Sequence, residues 1–457
     1  MRLARALRCT EPVRLALVGA GGKTTALFRL AHELSTSERN QAERRLVLVS
    51  ASTHLAEEQC GFADFHYQVN DINELEALEP ILPDGVVLIT GSHRESGRIA
   101  GLDLPLLDRL FDHSENRQCS LLIEADGSRL RPLKAPAAHE PVLPQWVETV
   151  VVCAGLSGLG KPLNSEWVHR PEFFTQISGL SLDEPIHPVA LCRVLLHPQA
   201  GLKSIPEKAR RLVLLNQADT LELQSTASGM VASLLNKYHA VLIAALAPFQ
   251  SSQLPVEEGE IFAVHERVAG IVLAAGGSTR LGQPKQLLPW QGEPIVRHVA
   301  KTGLAAGLQP VIVVTGAAAS TVEEALVDLP IQIVRNPDWE AGQSTSVKSG
   351  LHQVPAESGA VVFLLADQPR VSKELLSGLV ELHAATFAPL VAPEVQGQRG
   401  NPVLFDRQTF PAFFTLEGDV GGRPLFSRFK AAHLPWHDAS ILLDIDSPED
   451  YRLLLEG

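Results

Sequence analysis

Short apolar runs recur along the whole chain and alternate with longer segments in which apolar residues follow helical spacing. Residues 15–18, 86–90, 121–123, 150–153 and 361–366 are examples. Uninterrupted apolar runs of this length are typical of strands buried on both faces of a parallel sheet. Because these runs alternate with helical segments, the pattern predicts an α/β fold made of doubly wound parallel sheets.

The periodicity is lost over residues 247–268, where Ser, Pro and Glu become frequent. Segments of this composition typically connect domains. The length of 457 residues also exceeds what one hydrophobic core usually supports. We therefore predict two domains, residues 1–262, which include the linker, and residues 263–457, and we expect the second to fold alone.

The strongest candidate for a binding site is the loop after the first strand of the second domain. Its residues are Leu273, Ala274, Ala275, Gly276, Gly277, Ser278, Arg280 and Lys285. Glycines let backbone N–H groups approach a ligand closely and form a concavity that binds anions. Two cations on the same loop suit a polyanion such as a nucleoside triphosphate. A plain strand–loop connection with two solvated charges is the alternative.

A second glycine-rich loop lies between a strand and a helix near the start of the chain. The residues that would contact phosphate there are Gly19, Gly21, Gly22, Lys23 and Thr24. A helix N-terminus directs free N–H groups at an anion, the lysine would reach the outer phosphates, and the threonine would bind Mg²⁺. Leu17 stands where a standard P-loop has glycine, so this loop is shorter. The pattern predicts a P-loop-like NTPase domain, and a plain turn is the alternative.

Polar residues after two further strands of the first domain complete this predicted site. Glu124 and Asp126 end an apolar strand, where P-loop NTPases place the acidic residue that holds Mg²⁺. A turn or cap role for one of them is the alternative. Asn216 and Asp219 follow another strand and resemble the guanine-reading Asn-x-x-Asp motif of GTPases. Gln217 stands where that motif has Lys, and a strand-end turn explains the pair equally well.

Carboxylates also mark strand ends in the second domain. Asp367 follows residues 361–366, the most apolar strand of the chain, and open α/β sheets bind ligands at this end of their strands. Residues 444–446 are predicted to be a strand end in which Asp444 and Asp446 point to the same face. We select Asp446 as the metal ligand that acts with Asp367, and Asp444 is the alternative.

Two helix starts are predicted in the second domain from capping residues. Ser344 is placed at the start of a helix that runs to about residue 354. Ser447 at the N-cap, Pro448 at the first helical position and Asp450 in the first turn predict another helix start.

Composition and charge limit the classes of partner. The chain has 52 acidic and 39 basic residues and a formal net charge of −13, which argues against nonspecific binding to nucleic acid or acidic membranes. The five cysteines are scattered, which argues against disulfides and structural zinc and fits a reducing compartment. The N-terminus lacks the apolar segment of a signal peptide, and no apolar run approaches the roughly 20 residues of a membrane helix. We predict a cytoplasmic protein.

The loop of the second domain resembles the signature of the MobA-like nucleotidyltransferases, Leu-Ala-Ala-Gly-x-Ser-x-Arg-x-Gly-x-x-Lys, at every specified position. The resemblance continues to the C-terminus and is closest to the molybdenum cofactor cytidylyltransferases, since the guanylyl branch usually has Gly in place of Ala275. It implies a Rossmann-like nucleotidyltransferase domain that uses CTP, a molybdopterin acceptor, and Mg²⁺ held by Asp367 and Asp446.

The same resemblance assigns roles to residues outside the loop. Gln343 and Ser346 would contact the base or the ribose, although helix capping also explains them. Asn401 and Arg423 lie in two further matching segments that look like acceptor-binding loops. Arg423 would hold the phosphate of the acceptor, and a solvated arginine is the alternative.

The first domain resembles YqeC, the accessory family of selenium-dependent hydroxylases, from about residue 13 to residue 246. The matching segments are residues 19–25, 124–128, 133–136, 160–164 and 169–172, together with Asn216 and Asp219. This resemblance implies a pathway, the maturation of a molybdenum hydroxylase client, rather than a reaction. We expect the domain to bind ATP or GTP.

Together these inferences predict a molybdenum cofactor cytidylyltransferase. It would transfer CMP from CTP to Mo-molybdopterin and release pyrophosphate, with Arg280, Lys285 and Asp367 as catalytic residues. The first domain would be a nucleotide-dependent accessory module. Two alternatives stay open: a sugar-1-phosphate nucleotidyltransferase, and a non-catalytic accessory protein that inserts a cofactor into its client.

Overall fold

The computed structural model of the chain describes residues 1–36, 44–94, 97–247, 260–278 and 281–456. The chain divides into two compact units, Met1–Val264 and His265–Gly457. Both units are mixed α/β structures with sheets that are mainly parallel. Independent folding of residues 263–457 stays a prediction, which thermal unfolding of that fragment would test.

The first unit is organised around one nine-stranded sheet. Its strands are β1 Arg14–Gly19, β2 Leu46–Ala51, β3 Phe65–Gln68, β4 Gly85–Thr90, β5 Ser120–Glu124, β6 Thr149–Gly155, β7 Arg210–Asn216, β8 Ala240–Ala245 and β9 Glu260–Glu266. They are hydrogen-bonded in the order β9-β8-β7-β6-β1-β5-β2-β4-β3. Every pairing from β8 to β3 is parallel, as the apolar runs predicted. The central position of β1 places the loop that follows it at the carboxyl edge of the sheet.

Helices cover this sheet. They are α1 Leu3–Ala6, α2 Lys23–Ser35, α3 Ile72–Leu78, α4 Leu104–Asn116, α5 Pro171–Ser178, α6 Pro188–Leu196 and α7 Leu221–Leu234. All residues of β2 and β4 are buried, and successive side chains of a strand point to opposite faces, so both faces of the sheet are covered. A separate small sheet pairs Leu133–Lys134 with Val168–His169.

The predicted linker is partly wrong. Residues 260–266 form strand β9 at the edge of the first sheet, whereas residues 248–259 lie outside the described residues. The polar composition of the whole segment obscured the short apolar run 261–264, two residues of which are buried. The division between the two units falls inside β9.

The second unit has an eight-stranded sheet. Its strands are β10 Val268–Ala274, β11 Val311–Thr315, β12 Gln332–Arg335, β13 Ala360–Leu365, β14 Leu390–Val395, β15 Gln398–Arg399, β16 Val403–Asp406 and β17 Ala431–Pro435. Their order is β12-β11-β10-β13-β16-β14-β15, and β17 also pairs with β14. Strands β12, β11, β10 and β13 are parallel, whereas β16 runs antiparallel to β13 and β14.

Helices also cover both faces of the second sheet. They are α8 Ile295–Ala305, α9 Ala319–Glu324, α10 Gln343–Leu351, α11 Lys373–Thr386, α12 Phe410–Phe413 and α13 Pro448–Glu456. Alternate residues of β10 enter two different hydrophobic clusters, Val268 and Val272 in one and Ala269 and Ile271 in the other. Strand β10 is therefore buried on both faces, as predicted. No helix among the described residues of the chain is long and apolar enough to cross a membrane.

Two local predictions in the second domain are wrong and one is confirmed. Gly342, with a φ of 113°, and not Ser344, holds the N-cap position of α10. Residues 444–446 form no strand. The predicted start of α13 is confirmed, because Ser447 Oγ accepts the Asp450 N–H at 3.2 Å and donates to Asp450 Oδ2 at 2.7 Å.

Candidate functional site

The glycine-rich loop of the second unit leaves the middle of its sheet, because β10 lies between β11 and β13. Gly276 and Gly277 are exposed, and Ser278 has a left-handed φ of 49°. The Ser278 hydroxyl accepts the Lys285 N–H at 2.9 Å, which closes the loop. Arg280, a predicted catalytic residue, lies outside the described residues.

Gln286 belongs to this site, although the sequence did not single it out. Its buried amide donates to the carbonyl oxygens of Ala274 at 3.2 Å and Gly276 at 3.1 Å. Its Oε1 accepts the Ser278 hydroxyl at 3.2 Å. These bonds satisfy two loop carbonyls from inside the protein and hold the loop from its buried side. The sequence signal that could have identified Gln286 is its position, since it is an amide residue directly after the loop lysine.

Lys285 lies between two carboxylates that the sequence had selected. Its ammonium pairs with Asp367 Oδ2 and with Asp446 Oδ1, the latter at 2.8 Å. Burial alone would lower the pKa of Lys285, but the two carboxylates outweigh burial and the pKa is raised. Asp367 Oδ1 is buried and has no hydrogen-bond partner among the described residues. The site therefore combines a charged lysine with a buried carboxylate oxygen that has no partner among the described residues.

A neighbouring contact brings Asp446 to this position. The Ile445 N–H donates to the Asp367 carbonyl oxygen at 3.3 Å, which joins this segment to the end of β13. Asp444 accepts a hydrogen bond from the Gln368 amide instead of pairing with Lys285. Burial raises the pKa of Asp444, the Gln368 hydrogen bond opposes this shift, and Asp367 adds to it.

A cleft of about 810 Å³ adjoins these residues in the second unit. The predicted site residues that line it are Leu273, Gln343, Asn401 and Arg423. Ser346 does not line it, because its buried hydroxyl accepts a hydrogen bond from the Asn336 amide at 2.9 Å. The structure thus brings the two predicted acceptor residues and two predicted nucleotide residues, Leu273 and Gln343, to a common cleft.

A loop at the rim of the cleft is docked on the N-terminus of α10. A Cβ on Gly342 would overlap the backbone of Gly418. The N–H groups of Gln343 and Ser344 donate to Asp419 Oδ1 at 3.3 Å and to the Gly418 carbonyl at 3.2 Å. Because these N–H groups have no partner within the helix, the loop acts as its cap and fixes the start of α10.

The first unit places its glycine-rich loop at the end of the central strand β1. Gly19, Gly21 and Gly22 have φ values of 94°, 77° and 115°, which glycine adopts without strain. Helix α2 begins directly afterwards at Lys23. This is the strand–loop–helix arrangement that the sequence predicted.

The Lys23 side chain is buried and directed at protein groups. Its ammonium donates to the Gly19 carbonyl at 2.8 Å and lies 3.2 Å from Asp126 Oδ1 and 3.5 Å from Glu124 Oε1. Burial alone would lower the pKa of Lys23, but Asp126 and Glu124 outweigh it and the pKa is raised. Thr24 Oγ1 donates to Glu124 Oε2 at 2.8 Å. The predicted phosphate and metal residues are therefore in direct contact.

A chain of alternating charges continues from Asp126. The Lys134 ammonium lies 2.8 Å from Asp126 Oδ2 and 2.9 Å from Glu140 Oε2, and Arg170 binds both oxygens of Glu140 at 2.7 and 2.9 Å. Burial would raise the pKa of Glu140, but hydrogen bonds from Arg170 and Lys134 lower it to about 2. Lys134 and Arg170 lie in segments that only a family resemblance had singled out. The structure joins both segments to the loop.

Asn216 supports the same loop from the end of β7. Its Nδ2 donates to the Gly21 carbonyl at 2.9 Å, and its Oδ1 accepts the Leu246 N–H at 2.9 Å. Asp219 is exposed in the turn that follows. Asn216 therefore binds protein backbone with both polar ends of its side chain.

The donor sets differ in how well they would fit a metal ion. Within the described ranges, no group of three or more His, Cys, Asp and Glu side chains could hold a metal ion alone. Mg²⁺ commonly binds one or two carboxylates together with phosphate oxygens and waters. Asp367, with its unpaired Oδ1, fits this pattern. Glu124 fits a metal ion less well, because both of its carboxylate oxygens already have protein partners. Thr24 contacts Oε2 and Lys23 contacts Oε1.

Comparison with known proteins divides the chain into the same halves. Residues 15–172 match the YqeC protein family, and residues 270–434 match the MobA-like NTP transferase domain. YqeC of Escherichia coli K12, an uncharacterized protein, is 33% identical over 46% of this chain and 78% of that protein. Nicotine blue oxidoreductase of Paenarthrobacter nicotinovorans is 36% identical over 41% of this chain and 96% of its own length. A probable molybdenum cofactor guanylyltransferase of Bacillus cereus strain Q1 is 33% identical over 30% of this chain and 66% of its length.

The fold defines an α/β protein of two domains with sheets that are mainly parallel. The chain belongs to the YqeC family in its first domain and to the MobA-like nucleotidyltransferase family in its second. The predicted family membership is therefore confirmed.

Proposed function

We propose that the second domain transfers CMP from CTP to Mo-molybdopterin and releases pyrophosphate, for the maturation of a molybdenum hydroxylase client. The observation that carries the proposal is Lys285, held between Asp367 and Asp446 at the end of the glycine-rich loop. The relative named as a molybdenum cofactor guanylyltransferase supports the class of acceptor. The choice of CTP rests on Ala275, where the guanylyl branch usually has Gly.

The reaction is a displacement at phosphorus. An oxygen of the acceptor's phosphate attacks the α-phosphorus of CTP, and the bond from that phosphorus to the β-phosphate oxygen breaks. Pyrophosphate leaves with the bonding electrons, and no covalent bond to the protein forms. Positioning and charge neutralisation therefore supply the rate. Lys285, Arg280 and the loop near Gly276 neutralise the departing pyrophosphate.

Asp367 and Asp446 would hold Mg²⁺ in this proposal. When bound, Mg²⁺ would polarise the phosphate oxygens of the nucleotide. The unpaired Asp367 Oδ1 is the protein atom that fits this role. Until a nucleotide arrives, Lys285 pairs with both carboxylates and balances one of their two negative charges.

The first domain is proposed to bind ATP or GTP as an accessory module. The support is the strand–loop–helix arrangement, in which three positive-φ glycines precede a helix that begins at Lys23 and Thr24. Titration of the full-length protein with labelled ATP and GTP tests this, with Lys23→Ala as the variant. The loss of one charge-assisted contact should weaken binding roughly tenfold or more. Equal nucleotide binding by wild type and Lys23→Ala, or no binding by either, would show that the loop is a plain turn and not a nucleotide-binding site.

Pyrophosphate release by the full-length protein tests the transferase. Each common NTP is combined with Mg²⁺ and with either Mo-molybdopterin or a panel of sugar 1-phosphates, and CTP with Mo-molybdopterin should be the active pair. Activity with a sugar 1-phosphate would favour that alternative, and orthophosphate or no release would favour an accessory role. Reduction of nicotine blue, the activity in one relative's name, is assayed in parallel. Reduction without pyrophosphate release would overturn the proposal.

A further inference from the structure

Two arginines line the cleft of the second domain without a carboxylate partner among the described residues. They are Arg399, on β15, and Arg423. Both side chains line the same cleft, and repulsion from Arg423 adds to burial in lowering the pKa of Arg399. Elsewhere in this domain, arginines such as Arg297 and Arg335 are paired with carboxylates. An acidic chain thus places two arginines in this cleft, and neither forms an ion pair with Asp419 or Asp444, the carboxylates that also line it.

The guanidinium of Arg399 is held by an aromatic support. Its central carbon lies 3.8 Å from the centroid of the Phe426 ring. Phe426 packs edge-on against Phe405, with ring centroids 6.5 Å apart, and Phe405 packs against Phe363 at 5.6 Å. A guanidinium that stacks through its face keeps its N–H edge available for a planar, bidentate acceptor. The orientation of Arg399 therefore suits a phosphate or carboxylate.

The backbone beside each arginine is also fixed. The Gly400 N–H donates to the Pro393 carbonyl at 2.9 Å, and a Cβ on Gly400 would lie 3.1 Å from the Ile441 side chain. A Cβ on Gly422 would overlap the ring of Phe405. Both glycines therefore pack against neighbouring side chains, which leaves little room for a side chain at either position. Repulsion between two like charges in one cleft is relieved when an anion binds between them.

We propose that Arg399 and Arg423 together bind the phosphomonoester group of the acceptor. A phosphomonoester dianion balances two positive charges, and its oxygens match the fork of a guanidinium. Arg399 is the new residue, whereas Arg423 was selected from a resemblance. Asn401, which also lines the cleft, provides an amide beside them. The inference rests on the proposed transfer, because it assigns the acceptor's phosphate to this cleft.

Steady-state kinetics of the full-length protein test this assignment, with Arg399→Gln, Arg423→Gln and Arg399→Lys as variants. Arg428→Gln is the matched control, since Arg428 is exposed and contacts Thr415 outside the cleft. Either glutamine variant should raise KM for the acceptor roughly 10- to 100-fold, because a hydrogen bond to a charged group is lost. KM for CTP should stay within about twofold, and Arg399→Lys should recover part of the loss because the charge remains.

Binding of phenyl phosphate, an aryl phosphomonoester, provides a readout that does not need transfer. Calorimetry should show weaker binding by at least tenfold in both glutamine variants and unchanged binding in Arg428→Gln. If transfer occurs but KM for the acceptor is unchanged in Arg399→Gln, the arginine assignment is overturned and the transferase stands. If no acceptor supports transfer but phenyl phosphate binding depends on both arginines, the transferase is overturned and the anion site stands.

Discussion

Each domain places the lysine of a glycine-rich loop between two carboxylates, yet the two lysines are held differently. The Lys23 side chain is 2% exposed, and those of Glu124 and Asp126 are 8% and 3% exposed. The Lys285 side chain is 22% exposed, and that of Asp446 is 55% exposed. The first cluster is therefore enclosed by protein, whereas the second is open to a ligand.

The carboxylate oxygens of the first domain also have more protein partners than those of the second domain. In the first domain, Asp126 accepts from the Gly19 N–H, Lys23 and Lys134, and Glu124 accepts from Thr24. In the second domain, Asp367 keeps one buried oxygen unpaired among the described residues. A phosphate would have to draw Lys23 away from buried carboxylates, whereas the second site has an oxygen ready for a cation. The comparison favours the second domain as the catalytic one.

Replacement of the loop lysine should give the largest difference between the two domains. Lys23→Met leaves Glu124 and Asp126 buried without their shared cation, and breaking a buried ion pair costs about 3–5 kcal/mol. Lys285→Met removes a partly exposed pair, for which the cost is about 1 kcal/mol or less. Hydrogen exchange followed by mass spectrometry on the full-length protein reads each domain separately. Peptides of β1 and α2 should lose protection in the first variant, and peptides of β10 and β13 should keep it in the second.

Equal losses of protection in the two variants would show that the two ion-pair clusters are equally enclosed, and the contrast between the domains would fail. Lys161→Met is a control in the first domain, because that lysine is exposed and stacks on Trp167 away from the loop. It should change protection little, since exposed charges contribute little to stability.

Loss of a carboxylate charge is the next largest effect. Asp367→Asn keeps the shape of the side chain and removes its charge, so folding should survive. Cytidylyl transfer should fall on the order of 100-fold or more, as when one preorganised electrostatic contact is removed. Asp446→Asn should behave alike, and the double variant should be little worse than either single one, because the two carboxylates act as a unit.

The measurement is transfer across a Mg²⁺ titration, with Asp444→Asn as the control beside the site. Asp444 bonds Gln368 and does not pair with Lys285, so its replacement should leave most of the activity. Near-normal turnover of Asp367→Asn at saturating Mg²⁺ would remove the metal assignment. It would also remove most of the argument for catalysis in the second domain.

The strands and the two loops could be predicted because their signals are local. The run 361–366 predicted β13 within one residue, and the glycines at 19, 21 and 22 predicted the loop between β1 and α2. The cap of α10 could not be predicted in this way. Gly342 occupies the cap position, and the N–H groups of the first turn find partners on Asp419, far away in the sequence.

Charge networks were the least predictable part of the site. The sequence offered Glu124 and Asp126 as carboxylates near Lys23, but nothing in its spacing showed that Lys134 and Glu140 extend the cluster. Such contacts depend on which loops meet at the edge of the sheet, and local propensities do not carry that information. The strand predicted from the alternation of Asp444 and Asp446 is wrong for the same reason. A backbone hydrogen bond to the segment after β13, and not strand pairing, positions these residues.

The smallest expected effect is the pH dependence of the first domain. The pKa of Glu140 is about 2 in the folded protein, from an ordinary value of 4.5. A lowered carboxyl pKa contributes stability above the unfolded pKa, and this contribution is lost as the pH falls from 4.5 towards 2. Glu140→Gln lacks this contribution, so the variant should be less stable than wild type at pH 7, by about 1–2 kcal/mol.

The gap between wild type and Glu140→Gln should therefore close on acidification. Denaturant unfolding of the full-length protein between pH 7 and pH 2.5, followed by hydrogen exchange in peptides of β5 and β6, measures it. Glu148→Gln is the matched control, since Glu148 is exposed in the same domain and should show no such gap. Burial raises the pKa of Asp444 in the second domain. The contribution of this carboxyl to stability therefore changes with pH in the opposite direction to that of Glu140, and it favours folding as the pH falls. A gap that stays constant across this pH range would mean that Glu140 acts through packing alone, and the enclosed cluster would lose its electrostatic explanation.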